Sequence, residues 1–150
     1  MKVTINISIF LLVVFVLFHG EMLFAEENEK IILNYTRLGV DQSGDTYFKE
    51  ESIELNQRPS GFMVSPAESS EIVRFFKAKP GWEMLELHYA PDRQYLLVMQ
   101  GILEIQCSTG KMKKFGPGSV LFVEDTYGKG HRTRNAGEND LILVWISVEK

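Results

Sequence analysis

Two of the chain's three histidines stand where imidazole rings can meet. His88 ends one predicted strand and His131 begins another, and each lies beside a turn rich in Gly or Pro. Side chains at such strand ends can converge inside a small β-structure, where imidazole nitrogens suit zinc, iron, nickel or copper. His131 is also a candidate catalytic residue, acting as a general acid or base near neutral pH. The alternative is that both rings are only polar groups lining a wet opening.

Other chemical motifs are missing from the sequence. It contains no Gly-rich phosphate loop, no CxxC pair, no HExxH metal motif and no GxSxG nucleophile elbow. The net charge is −4, and no basic stripe with interleaved aromatic residues is present. Because a nucleic acid is held mainly through its phosphates, this argues against a nucleic-acid partner and favours a small-molecule ligand.

Alternation of polar and apolar residues predicts the strands that would carry these histidines. In residues 82–89, Met84, Glu86 and His88 share one strand face, so Glu86 is a candidate ligand-binding group near His88. Further strands are predicted at 94–100, 102–107, 119–123 and 141–148, with turns at 108–110, 115–118 and 128–130. No apolar helical stripe of 12 residues or more is present. The pattern predicts a single all-β domain, closed as a sandwich or a barrel of the jelly-roll type.

The first 25 residues have the pattern of a secretory signal peptide. Lys2 supplies a positive start, and residues 7–18 form an apolar run of twelve interrupted by one Ser. A membrane-spanning helix needs roughly 20 apolar residues, so this run better fits the central region of a leader. We expect cleavage after Ala25 and a secreted or periplasmic protein. The alternative is an uncleaved leader that anchors the chain to a membrane.

The chain is thereby divided into a signal peptide at 1–25, an N-terminal segment at 26–40 and a β-barrel domain at 41–150. Cys107 is the only cysteine, so the chain cannot form an intrachain disulfide. Its place in an alternating apolar stretch predicts a buried side chain in preference to a reactive thiol.

Four residues in the second half of the chain resemble the first sequence motif of the cupin family. That motif has a Gly, an HxH pair, a Glu, and a Gly seven residues after the Glu. In this chain Gly81, His88, Gln94 and Gly101 follow in that order, and His88 takes the place of the first His. Ala90 stands where the family has its second His, and Gln94 stands where it has Glu.

The second cupin motif is matched by Gly118, His131 and Asn135. Residues 124–130 replace the family's PxG turn, and the motif is two residues longer here than the family pattern. The resemblance covers residues 81–135. It implies a cupin-type jelly roll with a small-molecule pocket and one divalent metal ion (Fe, Zn, Ni or Mn). A homodimer is also implied, because cupins often pair through their sheets.

The resemblance further implies an incomplete set of metal ligands, formed by His88, Gln94 and His131. An amide oxygen carries no charge, so Gln94 should bind a divalent cation more weakly than the family's Glu would. Asp125, or its neighbour Glu124, could restore a carboxylate from the lengthened loop. The alternatives are that Gln94 hydrogen-bonds a strand or loop, and that Asp125 caps the loop backbone.

Arg132 and Arg134 are candidate ligand-binding residues, since a guanidinium can hold a substrate carboxylate through two hydrogen bonds. Strand alternation places Thr133 on the same face as His131 and turns both arginines away from it. The alternative is that the two arginines belong to a solvated strand face.

Two functions from different classes fit these residues. The first is a metal-dependent isomerase or oxygenase acting on a small oxygenated substrate, and the neutral ligands favour Lewis-acid isomerisation over oxygen activation. The second is a non-catalytic binding module that holds a small molecule and retains a vestigial metal site. A weaker third interpretation is a purely structural, dimerising domain.

Overall fold

The computed structural model describes residues 31–149, and all regular structure in this range is β-strand, as the sequence predicted. The strands are β1 (Ile32–Val40), β2 (Thr46–Glu54), β3 (Asn56–Gln57), β4 (Met63–Val64), β5 (Ser70–Ala78), β6 (Glu83–His88), β7 (Gln94–Gln100), β8 (Leu103–Cys107), β9 (Met112–Phe115), β10 (Val120–Val123), β11 (His131–Asn135) and β12 (Leu141–Val148). Within these residues no helix has the length and apolar character needed to cross a membrane. The predicted signal peptide, 1–25, lies outside the described residues.

Two sheets form the body of the fold. One has six strands in the order β2-β1-β10-β7-β12-β5, and the other has four in the order β6-β11-β8-β9; β3 and β4 form a separate short hairpin. In the described range the ladders end at β2, β5, β6 and β9, so the hydrogen bonds do not close the predicted barrel. The chain crosses between the two main sheets several times, first at the turn after Ala78, where Trp82 N–H donates to the Lys79 carbonyl at 3.1 Å.

Side chains from both sheets meet in one core. The six-stranded sheet contributes buried residues such as Leu38, Val98 and Leu121, and the four-stranded sheet contributes Leu103 and Cys107. Each lies on the inward face of an alternating strand, which is why period-two patterning predicts the core well. Burial raises the pKa of the Cys107 thiol, which agrees with the prediction of an inert, packed cysteine.

The described part of the 26–40 segment belongs to the six-stranded sheet, although the sequence placed it ahead of the domain. β1 pairs with β2 in antiparallel register along all nine of its residues and runs parallel to β10, with Thr36 opposite Leu121. Parallel pairing joins residues far apart in the chain, so no local pattern reveals it. The domain therefore begins no later than Ile32.

The outward face of the six-stranded sheet is unusually apolar. Phe75 is 79% exposed and Val73 58% exposed on the edge strand β5, and half-buried Val144 and Leu97 lie next to them across the ladder. We call these four residues the apolar outer face. Their neighbours Val98 and Leu143 point inward and are buried.

Candidate functional site

His88 and His131 face each other across the β6–β11 ladder, although 43 positions separate them in the chain. Their ring centroids are 4.6 Å apart and the ring planes are tilted by 53°. His131 is buried and His88 is half-buried. The fold therefore brings together the two imidazoles that the sequence singled out.

Gly130 allows this approach. Its φ is +75°, and a Cβ at this position would lie 2.3 Å from the carbonyl oxygen of His88, which is closer than atoms can pack. The Gly130 carbonyl also accepts a hydrogen bond of 3.0 Å from Thr46 Oγ1. Only glycine fits between the end of β6 and the start of β11, so Gly130 sets the spacing of the two rings.

A bulge in β6 orients the His88 ring. His131 is opposite His88 while Thr133 is opposite Met84, so β6 carries extra residues between these pairs. The Glu86 carbonyl, within the bulge, lies 3.1 Å from His88 Nδ1. A carbonyl only accepts, so Nδ1 carries the hydrogen and Nε2 keeps its lone pair. Burial lowers the pKa of His88, which favours this neutral ring.

Asp125 holds the second ring. Its Oδ2 lies 2.6 Å from His131 Nδ1, and the carboxylate has no exposed surface. The Asp125 carbonyl accepts a 3.0 Å hydrogen bond from Ala90 N–H, which ties the loop to the end of β6. A carboxylate on Nδ1 keeps the hydrogen there and leaves Nε2 of His131 free to bind or to accept a proton.

Asp125 therefore occupies a different place from the one expected of a metal ligand. It lies behind His131, outside the residues that line the adjoining cavity. Glu124, the alternative carboxylate, turns to Arg37 instead, with Oε1 2.5 Å from Nη1. The lengthened loop supports the imidazole but brings no carboxylate into the cavity.

Gln94 contributes an unusual polar atom. This residue begins β7, is 5% exposed and lines the same cavity as both histidines. Its Oε1 is buried and has no hydrogen-bond partner among residues 31–149. An orphaned buried acceptor costs free energy, so the atom needs a partner that the chain does not supply.

The cavity between the sheets has a volume of about 380 Å³ and is mostly apolar. Side chains with hydrogen-bonding groups are His88, His131, Gln94, Thr133 and Tyr89, together with the indoles of Trp82 and Trp145. The remaining lining residues are Phe76, Met84, Ala90, Pro91, Leu96, Leu103 and Leu143. Polar groups converging in an otherwise apolar cavity are typical of a small-molecule site.

The three predicted ligand-binding residues lie elsewhere. Arg132 and Arg134 line a separate groove of about 190 Å³, where Arg134 Nε donates to Glu104 Oε1 at 2.5 Å. The Glu86 side chain is exposed and does not line the cavity; only its carbonyl serves the site. Strand alternation explains the arginines, and the bulge explains Glu86, because it breaks the regular face that Glu86 was expected to share with His88.

The residues that line the cavity could bind a divalent ion, and all of the donor atoms they offer are neutral. Among residues 31–149, no three His, Cys, Asp or Glu side chains are grouped for a metal ion, so Gln94 must supply the third donor. Nε2 of His88 and of His131, with Gln94 Oε1, could hold an ion that accepts nitrogen and oxygen ligands. The carboxylate and carbonyl on the two Nδ1 atoms are the partners that such ligands usually have.

Several site residues were not anticipated from the sequence. Phe76 and Trp145 face the cavity from β5 and β12, and Trp82 packs edge-on against Phe76 with centroids 5.1 Å apart. The alternation of β12 could have placed Trp145 on the inward face with Leu143. Nothing local indicated that Gly130 would contact His88, because that contact depends on the ladder between β6 and β11.

Comparison with known proteins identifies the domain. The family model described as the cupin domain matches residues 74–147. No curated protein matches the chain. Among solved structures, an oxalate decarboxylase from Bacillus subtilis is 24% identical over 50% of this chain and 20% of that chain, with a TM-score of 0.37. This chain thus spans about a fifth of that enzyme.

Two further solved structures cover more of the chain at lower identity. The capsular polysaccharide assembling protein CapF from Staphylococcus aureus is 16% identical over 77% of this chain and 31% of that chain, with a TM-score of 0.40. A protein described as ethanolamine utilization protein Q, from Salmonella typhimurium, is 14% identical over 79% of this chain and 97% of that chain, with a TM-score of 0.38.

Proposed function

Because the chain belongs to the cupin family through the domain at residues 74–147, we propose that it binds a small organic molecule in the cavity between its two sheets. The proposed activity is a metal-dependent isomerisation or oxygenation of that molecule. The observation that carries the proposal is the orphaned Oε1 of Gln94, beside two imidazoles whose Nδ1 atoms are both engaged.

His88, His131 and Gln94 would hold the metal ion, with Fe, Zn, Ni and Mn as the candidates. A bound divalent ion would supply Lewis-acid polarisation of a carbonyl or hydroxyl oxygen on the ligand. All three donors are neutral, so binding should be weaker than in a site with a carboxylate ligand.

The chain's own groups have defined tasks in this proposal. Asp125 keeps the hydrogen of His131 on Nδ1, so that the lone pair of Nε2 points to the metal ion. Without a metal ion, the same Nε2 could instead accept a proton from the ligand, and Asp125 would stabilise the imidazolium that results. The Glu86 carbonyl orients His88 in the same way. The apolar walls exclude water, which strengthens each electrostatic interaction in the cavity.

The second candidate is a binding module without catalysis. Two observations favour it: Ala90 stands at a position where cupins place a ligand His, and the cavity is lined mainly by apolar side chains. In that case the two imidazoles and Gln94 would hydrogen-bond the ligand directly.

Elemental analysis of the purified protein separates the two candidates. We expect stoichiometric metal that is lost in both His88→Ala and His131→Ala, and tighter binding of the same metal in Gln94→Glu, which adds the missing charge. Absence of metal from the wild type, with unchanged ligand binding in both His variants, would reject the metalloenzyme. An unaffected Gln94→Glu variant would remove Gln94 from the ligand set.

Export remains part of the proposal, supported by Lys2, the apolar run at 7–18 and Ala25. Expression with the native leader should yield material outside the cytoplasm whose first residue is Glu26. Retention of the leader in the membrane fraction would favour the anchored alternative.

Pairing of two copies is the last part of the proposal. The apolar outer face lies on and next to β5, a nine-residue edge strand whose free backbone groups can pair with another strand. A large exposed apolar patch beside such an edge is typical of an interaction surface. A second copy would offer both an identical edge and an identical apolar face.

A further inference from the structure

We infer that the cavity selects an uncharged molecule that carries an aromatic ring and one oxygen function, such as a phenol or an aryl ketone. This inference rests on the proposed function, since it names the ligand class of the same site. It follows from the walls, the polar end, the charge and the size of the cavity.

Aromatic side chains form much of the wall. Phe76, Trp82, Tyr89 and Trp145 all line the cavity, and the Phe76–Trp82 pair is arranged edge to face at an interplanar angle of 64°. Aromatic rings prefer edge-to-face and offset contacts with other rings, so these walls favour a planar ring over a flexible aliphatic chain.

The lining offers a ligand few hydrogen-bond acceptors of strong basicity. Gln94 Oε1 and the Nε2 atoms of His88 and His131 are available. The other hydrogen-bonding groups are the hydroxyls of Thr133 and Tyr89 and the two tryptophan N–H groups, and the aliphatic residues and Phe76 offer none. A ligand with hydroxyl groups all round, such as a sugar, would bury most of them without hydrogen bonds, which is costly. A single oxygen function directed toward the histidines avoids that cost.

Within the described part of the chain, no lysine or arginine lines the cavity. The Arg74 guanidinium lies against the Trp145 ring, 5.9 Å from its centroid, but the residue is exposed and does not line the cavity. Asp125 adds a buried negative charge directly behind His131. An anionic ligand would therefore lose its hydration without gaining a protein counter-charge.

The volume limits the ligand to a small molecule. A cavity of about 380 Å³ lies near the lower end of the roughly 300–1,000 Å³ usual for small-molecule sites. One ring with a short substituent fits this space.

The inference is tested by comparing acetophenone with benzoate, which have the same number of heavy atoms and differ in charge. Binding to the full chain is measured by tryptophan fluorescence and calorimetry, on the protein as purified and again after treatment with EDTA. We expect acetophenone to bind more tightly than benzoate by about tenfold or more in the EDTA-treated protein, because benzoate must bury its charge there without a counter-charge. This preparation decides the inference, since a bound divalent ion in the purified protein would attract benzoate. Glucose, the polyhydroxyl probe, should not bind detectably.

Two variants locate the binding. Trp145→Leu should weaken acetophenone binding severalfold, while Arg74→Met should leave it unchanged, since Arg74 lies outside the cavity. If benzoate binds the EDTA-treated protein as tightly as acetophenone does, or its binding depends on Arg74, the inference is wrong. Should Trp145→Leu lose its cooperative thermal transition, the wild-type comparison of the two probes still decides the question.

Failure of this inference and failure of the proposed metal site give different results. Stoichiometric metal with no preference for acetophenone after EDTA treatment would overturn the ligand class alone. Preference for acetophenone without any metal would leave the ligand class in place and reject the metalloenzyme.

Discussion

At the scale of single residues, the carboxylate of Asp125 has the most specific task. It is fully buried, its Oδ2 lies on His131 Nδ1, and its Oδ1 has no partner among the described residues. A buried carboxylate with one unsatisfied oxygen is retained at a cost, which is common where a side chain supports a functional imidazole.

Asp125→Asn tests this task. We expect metal affinity to fall about 10–100-fold, because loss of an orienting partner weakens a His ligand by that order. The measurement is titration of Zn²⁺ or Mn²⁺ into the metal-free protein by calorimetry. Glu124→Gln is the matched control, since the neighbouring carboxylate faces Arg37 and should leave the affinity unchanged. Equal effects of the two variants would show that Asp125 has no special relation to His131.

Glu51 contributes to the pH dependence of the free energy of unfolding in acid. The hydrogen bond from Arg37, followed by those from Lys49 and Tyr35, lowers the pKa of Glu51 from 4.5 to about 2. A carboxylate whose pKa is lowered by folding adds stability above its unfolded pKa, and that stability is lost as the pH falls through the folded value.

Glu51→Gln should therefore reduce the free energy of unfolding at pH 7 by about 1 kcal/mol, as expected for a partly exposed charged network. The difference from the wild type should shrink as the pH falls from 4.5 toward 2. Urea unfolding followed by circular dichroism across this range measures both. A constant difference at every pH would mean that the Glu51 charge is not the cause; Glu71→Gln, on exposed β5, serves as the control.

At the scale of strands and turns, the approach of β6 to β11 decides the geometry of the site. Gly130→Ala would place a methyl group 2.3 Å from the His88 carbonyl oxygen. We expect a loss of about 2 kcal/mol or more in the free energy of unfolding, from the left-handed backbone and the clash together.

Gly110→Ala provides the comparison for this substitution. Gly110 has a similar φ of +89°, but a Cβ added there would meet nothing within 4 Å, so only the backbone strain remains. Chemical denaturation of both variants gives their free energies of unfolding. The difference between the two losses is the contribution of the contact between position 130 and the His88 carbonyl. If both lose the same stability, the close approach does not contribute.

The positions of the strands were predictable from the sequence, but the pairing of strands in the sheets was not. Alternation at 94–100 and 102–107 correctly gave β7 and β8, and the positions of His88 and His131 at strand ends gave the site. The parallel β1–β10 pairing and the bulge in β6 depend on distant residues, so they leave no local pattern. Inward and outward faces were also ambiguous in strands such as β12, where both faces are apolar.

At the scale of the whole molecule, the two sheets have different surroundings. The outer side of the four-stranded sheet carries charged pairs such as Arg134–Glu104 next to exposed Leu85 and Met112, whereas the apolar outer face of the six-stranded sheet exposes Phe75 and Val73 without a charged pair between them. Leaving apolar side chains in contact with water costs free energy, and the cost is least relieved where no charged groups are interspersed. This difference favours association of two copies through the six-stranded sheet.

Phe75→Lys should convert a dimer into a monomer with little loss of thermal stability, because the side chain is mostly exposed within one copy. Light scattering after size-exclusion chromatography at micromolar concentration measures the mass. Leu85→Lys, on the equally exposed β6, is the control and should remain dimeric. A monomeric wild type, or an equal effect of Leu85→Lys, would rule out this surface.

The contact between Gly130 and the His88 carbonyl has a consequence for binding thermodynamics. Since main chain lies directly against main chain there, the backbones that carry the two imidazoles cannot separate unless β6 and β11 come apart. The site is thus preorganised, because the conformational entropy of bringing the two histidines together is lost when the protein folds. Binding of a ligand or ion then costs mainly the translational and rotational entropy of that ligand or ion.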